Sequence, residues 1–102
     1  MIDISVVIPY YNESSTITIT LGLIEEQSYK PKEVIFVNSS STDSSSGIID
    51  LWIESQVDNN KVRYLNINSD SATPSSSKNI GIKNSKYEWI AFMDCGLVFS
   101  KN

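Results

Sequence analysis

The stretch EVIFVNSSSTDSSSGII, Glu33 to Ile49, decides how the rest of the chain is read. Its first part is an unbroken apolar run, which suits a strand covered on both faces. Its second part is rich in serine and ends in an apolar segment. Asp43 or Thr42 can cap a helix there, with Ile48, Ile49, Leu51 and Trp52 as its buried side. The serines themselves read either as a slack polar linker or as a turn between a buried strand and a helix. The clean entry into an apolar helix favours the turn.

Outward from this stretch the same alternation repeats. ISVVIPYYN opens with β-branched residues and is expected to end its ladder at Pro9, making a first strand. Ser14 or Ser15 can cap a helix running to about Gln27, with Ile17, Leu21 and Ile24 on one face. KVRYLNI (Lys61–Ile67) alternates as a third strand, and YEWIAFMD (Tyr87–Asp94) reads as a fourth. Thr73 followed by Pro74 is a helix start, and that helix runs to about Ser85 with a weak apolar stripe. The order βαβαβαβ implies an α/β, Rossmann-like parallel sheet with right-handed crossovers and helices on both faces. Such sheets bind ligands beyond the carboxyl ends of their strands, where strand order reverses. The segments at those ends are PYYNE, NSSSTD, NINSD and DCG, all polar.

The totals exclude several classes of function. At 102 residues the chain holds one modest domain, and a net charge of −4 argues against a sequence-independent grip on nucleic acid. With no histidine, the commonest general base and metal ligand are absent. The single cysteine, Cys95, forms no internal disulfide and fits a reducing, cytoplasmic setting. A phosphoacceptor receiver domain would need acidic residues after the first strand and an aspartate after the third, and PYYNE and NIN supply these poorly.

Each polar end admits a structural role and a binding role. Tyr10 and Tyr11 point to opposite sides, so one can face the crevice and stack on a flat base, or both can finish the core. Glu13 can accept from a ribose hydroxyl or simply favour a helix N-terminus. Lys78, in the first turns of the third helix, is an anion site in outline or an ordinary solvated lysine. Asp94, at the end of a buried strand, needs water, a donor or a cation, or it caps the next turn.

Taken together, VVIPYYNE, VNSSSTD, SKNIG and IAFMDCG resemble, in order and spacing, the motifs of the nucleotide-binding half of a family 2 glycosyltransferase with the GT-A fold. That family shows P-x-Y-N, V-D-D-G-S-T-D, A-R-N-x-G and F-L-D-x-D. LIEEQSYKPKEVIFV is similar to its first helix exit and second strand. The resemblance implies a truncated GT-A domain of sheet order 3-2-1-4. It implies that Pro9, Tyr11 and Glu13 line a base and ribose pocket. Ser39 stands at the family's base-contacting aspartate and Lys78 at an arginine near the nucleotide. Asp94 stands at the first carboxylate of the metal motif. It further implies a nucleotide-diphospho sugar donor, a UDP-sugar first, and a weakly held divalent metal, Mg²⁺ or Mn²⁺, serving inverting transfer to an acceptor saccharide or lipid. The departures are Asn38 and Ser39 in place of two acids, Lys78 in place of arginine, and Gly96 in place of the last acid of D-x-D. Lysine gives a point charge where arginine gives a planar fork. A non-catalytic binding or scaffold relative is the alternative these departures suggest. The family's acceptor half and catalytic base follow the matched region, so the chain is expected to be a fragment, inactive alone and able to self-associate through an uncovered face.

Overall fold

The structure, a computed structural model, describes residues 3–27, 30–56, 62–69 and 74–93. Four strands, β1 (Ile4–Tyr10), β2 (Glu33–Asn38), β3 (Arg63–Asn68) and β4 (Trp89–Phe92), alternate with three helices, α1 (Ile17–Glu26), α2 (Ser45–Ser55) and α3 (Pro74–Asn84). The strands form one sheet of order β3-β2-β1-β4, and every neighbouring pair is parallel. The parallel alternation is what the sequence pattern implies, and the order is the one the family resemblance implies.

The unbroken run Val34–Val37 is central because both its faces are covered. Val34 and Phe36 join Ile8, Tyr10, Ile17, Leu21, Ile24 and Ile49 in a core beneath α1 and α2. Ile35 and Val37 join Val7 in a second core, with Ile80 of α3 packed against it. Residues one apart on a strand face opposite ways, so one sequence run feeds both cores. Trp52 ties the first core together. Its ring meets Phe36 and Tyr64 edge-on at 6.1 and 4.9 Å, and its indole N–H donates to Glu25.

Several boundaries and faces differ from the sequence expectation, each for a physical reason. Pro9 does not end β1: it sits opposite Val37 inside the ladder, and the strand runs on to Tyr10. The carbonyl of Tyr10 faces β2, where it accepts the Ser39 amide at 2.9 Å, and that of Val7 faces β4, where it accepts the Met93 amide. Pro9 shares the side of Val7, so its missing N–H leaves the β1–β2 ladder intact. Neither Ser14 nor Ser15 caps α1. The Thr16 and Ile17 amides instead bond the Glu13 carbonyl, in a tight turn that delays the helix to Ile17. Leu51 is exposed, because it lies about 200° around the helix from the buried Ile49. β3 starts at Arg63, and Lys61 lies outside the described residues, as do Thr73, Asp94, Cys95 and Gly96.

The weak apolar stripe of α3 has a cause. The helix meets β1 and β2 through small residues, Ser77 and Gly81, both buried. A Cβ on Gly81 would stand 2.3 Å from Cγ1 of Val7, so only glycine allows this approach.

At the amino edge of the sheet Glu33 is fully buried. Its carboxylate accepts from the Ser5 hydroxyl at 2.8 Å and the Lys86 amide at 3.0 Å, and it pairs with the Arg63 guanidinium. Burial alone would raise its pKa. The Lys86 amide, the Ser5 hydroxyl and Arg63 outweigh that and hold the carboxyl below the usual glutamate range.

Candidate functional site

The polar segments after β1 and β2 and the first turn of α3 meet at the carboxyl edge, as the topology requires. The centre of the meeting is the end of β2. The Asn38 carboxamide donates to Asn68 at 3.2 Å and accepts the Ser41 amide at 2.8 Å. Its carbonyl accepts the Ser69 amide at 2.8 Å. Ser39 is buried: its amide bonds Tyr10, and its hydroxyl is hydrogen-bonded to that of Ser77 in α3. β1, β2 and α3 are thereby joined at one point.

The loop after β1 and the loop after β2 are also joined directly. The amides of Asn12, Glu13 and Ser14 donate to Ser41 Oγ at 3.0 Å, Ser45 Oγ at 2.8 Å and Asp43 Oδ2 at 3.1 Å. In return, Asn12 Oδ1 accepts the amides of Thr42 at 2.8 Å and Asp43 at 3.3 Å. Asn12 and Ser40 have φ of 49° and 65°, left-handed backbone that asparagine tolerates better than serine. The N-cap of α2 is Ser44, not the expected Asp43 or Thr42, and its side chain makes no capping bond; Asp43, one residue before it, takes the Ser45 amide at 2.9 Å. The Ser45 hydroxyl is the chief reason the Asp43 carboxyl is lowered to about 2; desolvation is the next largest influence and opposes it, and the Ser45 and Ser14 amides lower it further.

Of the residues singled out from the sequence, Pro9 lies in β1 on the α3 side of the sheet. Tyr11 is 53% exposed on the first loop, while its neighbour Tyr10 is buried with its hydroxyl donating to Asn66 at 2.8 Å. So one tyrosine faces out and one finishes the core. Glu13 accepts the Thr16 hydroxyl at 2.7 Å on the same loop. Ser39 is bonded to both Tyr10 and Ser77. Lys78 follows Ser77, and its ammonium lies 5.4 Å from the centre of the Phe92 ring, which carries it toward β4. Asp94 lies outside the described residues, one position past Met93.

The sequence reading passed over Asn12, Ser45 and Ser77. Asparagine after a strand end is a signal for left-handed backbone, but its cross-loop partners follow only from the parallel register of β1 and β2. Among the described residues no group of three or more His, Cys, Asp or Glu side chains gathers. They do not make a divalent-metal site by themselves. No helix among them is long and apolar enough to cross a membrane.

An open parallel sheet whose loops close on one polar edge defines a class of ligand-binding α/β domain, and the comparisons with known proteins narrow the class. The sequence model described as Glycosyl transferase family 2 matches residues 5–102, and the chain belongs to that family. It is 32% identical over 99 residues to glycosyltransferase GlyG of Streptococcus pneumoniae serotype 4, spanning 97% of this chain and 32% of GlyG. Its fold matches that of TarS 1-349 from S. aureus in complex with UDP, with a TM-score of 0.73 and 28% identity over 91% of this chain and 27% of that one. The same TarS segment is also solved with UDP-GlcNAc. The mannosyltransferase PcManGT from Pyrobaculum calidifontis, in complex with GDP-Man and Mn²⁺, matches with a TM-score of 0.76 and 26% identity, over 89% of this chain and 26% of that one. The chain thus spans a third or less of the length of these relatives.

Proposed function

We propose that this chain is the donor-binding half of a sugar transferase. It takes a nucleotide-diphospho sugar, a UDP-sugar before others, and serves inverting transfer to an acceptor bound elsewhere in the protein. The observation that carries this reading is the convergence at Ser39, where hydrogen bonds join the end of β1, the end of β2 and the start of α3 beneath one polar edge. Family membership supports a nucleotide sugar as the ligand of that edge, and the TarS complexes with UDP and UDP-GlcNAc support uridine as its nucleoside. In this reading Pro9, Tyr11 and Glu13 flank the base and ribose, Ser39 forms the floor, and Lys78 reaches the diphosphate as a point charge. Asp94 is the carboxylate for a weakly held Mn²⁺ or Mg²⁺, which would offset charge on the departing diphosphate.

Calorimetric titration with UDP, GDP and dTDP, with and without Mn²⁺, tests the proposal. UDP is expected to bind, more tightly with Mn²⁺, and Asp94→Asn is expected to remove the gain from the metal. No binding of any of the three nucleotides would overturn it.

One observation favours a second reading, a nucleotide-binding scaffold without catalysis. Asn38 and Ser39 replace acidic residues, and their side chains are already engaged by Asn68, Ser41 and Ser77. This reading expects nucleotide affinity indifferent both to metal and to Asp94→Asn.

A further inference from the structure

We propose that Asn12 and Asp43 are positioning residues of the donor site, forming a reciprocal lock that holds the first loop in its binding shape before nucleotide arrives. This rests on the donor-site reading above. Three consecutive amides of the first loop, Asn12 to Ser14, donate to side-chain oxygens of Ser41 and Asp43 in the second loop and of Ser45 at the start of α2. Two consecutive amides of the second loop, Thr42 and Asp43, donate back to the single carboxamide oxygen of Asn12. The Ser45 hydroxyl accepts from the Glu13 amide and commits its own proton to Asp43.

Neither lock residue need touch the ligand. Tyr11 and Glu13 flank Asn12 in sequence, and Tyr11 is exposed. An unanchored loop would have to be ordered on binding, at a cost in backbone entropy for each residue. The lock leaves that cost to the folding of the free protein. Its left-handed residue explains why asparagine serves here: the side chain must accept two amides from a backbone turn that most residues avoid.

The test compares wild type with Asn12→Gly and Asp43→Asn. Glycine keeps the left-handed turn without strain and removes the carboxamide with its accepting oxygen. In Asp43→Asn one oxygen becomes an N–H₂ group, which cannot accept the amide it faces. UDP with Mn²⁺ is the probe, read by rapid-mixing kinetics. Each variant is expected to weaken UDP about tenfold, with the loss in the association rate and the dissociation rate unchanged, since only a fraction of molecules is competent at any instant. Amide hydrogen exchange at Thr42 and Asp43 in Asn12→Gly, and at Ser14 in Asp43→Asn, should quicken without nucleotide. Faster exchange with unchanged UDP kinetics would remove the positioning role. Unchanged exchange would remove the lock itself. A wild type that binds no UDP would instead sink the donor reading, a failure visible before any variant is made.

Discussion

The two edges of the sheet are both polar, but they are built on opposite principles. At the amino edge one buried carboxylate, Glu33, gathers Ser5 of β1, Arg63 of β3 and the Lys86 amide ahead of β4. At the carboxyl edge the groups that join the two loops among the described residues are mostly neutral amides and hydroxyls, and Asp43, a carboxylate joining them, sits at the surface. The first arrangement concentrates energy on a charge that cannot be left unpaired. The second spreads modest bonds over many donors and leaves Tyr11 facing solvent. One end suits stability and the other suits a ligand. α3 touches both: Ser77 near its start meets Ser39, while Ser85 just past its end stands 2.8 Å from Ser5, which donates in turn to Glu33.

The sharpest way to break this contrast is Glu33→Ala. It strips partners from the Ser5 hydroxyl and the Lys86 amide and leaves Arg63 unpaired, a loss of about 3 kcal/mol, checked by urea unfolding. Arg63→Ala should cost less, because its side chain is 39% exposed and Glu33, though left without its cation, keeps the Ser5 hydroxyl and the Lys86 amide. Equal losses would mean that the ion pair, and not the buried carboxylate, organises this edge. Acid sharpens the point. The folded-state pKa of Glu33 lies below the ordinary 4.5, so its contribution is complete above that value and fades as pH falls through the folded value. The Tm of wild type should drop over that window more steeply than the Tm of Glu33→Gln.

Gly81 tests the element that bridges the edges. Alanine there adds about 1 kcal/mol of helix propensity but drives a methyl into the Val7 side chain, so the net change is a loss of about 1–2 kcal/mol. If α3 is held chiefly by its two ends, the variant should keep the Ser39–Ser77 and Ser5–Ser85 contacts and shift only its middle. NMR shift changes confined to Val7 and its neighbours would show that. Changes reaching Ser39 would mean the middle sets both ends.

How much of this was legible in the sequence follows the same division. The strands came from apolar runs and polar ends, most clearly in β2, which is buried along its whole length, while their order 3-2-1-4 came from the family resemblance. The burial of Glu33 was not legible from its own run. It needs the register, which sets Ser5 and Arg63 opposite it on either side. The docking of α3 was hidden because small residues make close contact without an apolar stripe. At the site, the meeting of Tyr11, Ser39 and Lys78 segments at one edge followed from topology. The cross-loop bonds of Asn12 and Asp43 did not, because they depend on two residues of left-handed backbone.

Ser40→Gly carries the smallest expected effect and separates the two left-handed positions. Serine at φ 65° bears a strain that glycine does not, against which stand the greater chain entropy of glycine and the loss of a long 3.3 Å bond to the Ser69 carbonyl. The balance is a gain of under about 1 kcal/mol. Asn12→Gly, which relieves less strain because asparagine tolerates the left-handed region better than serine, should gain nothing, because it loses the acceptor of two amides. Differential scanning calorimetry on the two variants side by side compares them directly. A rise in Tm for both would mean that the carboxyl edge is limited by backbone strain alone, and that the Asn12 carboxamide adds nothing to the joining of its loops.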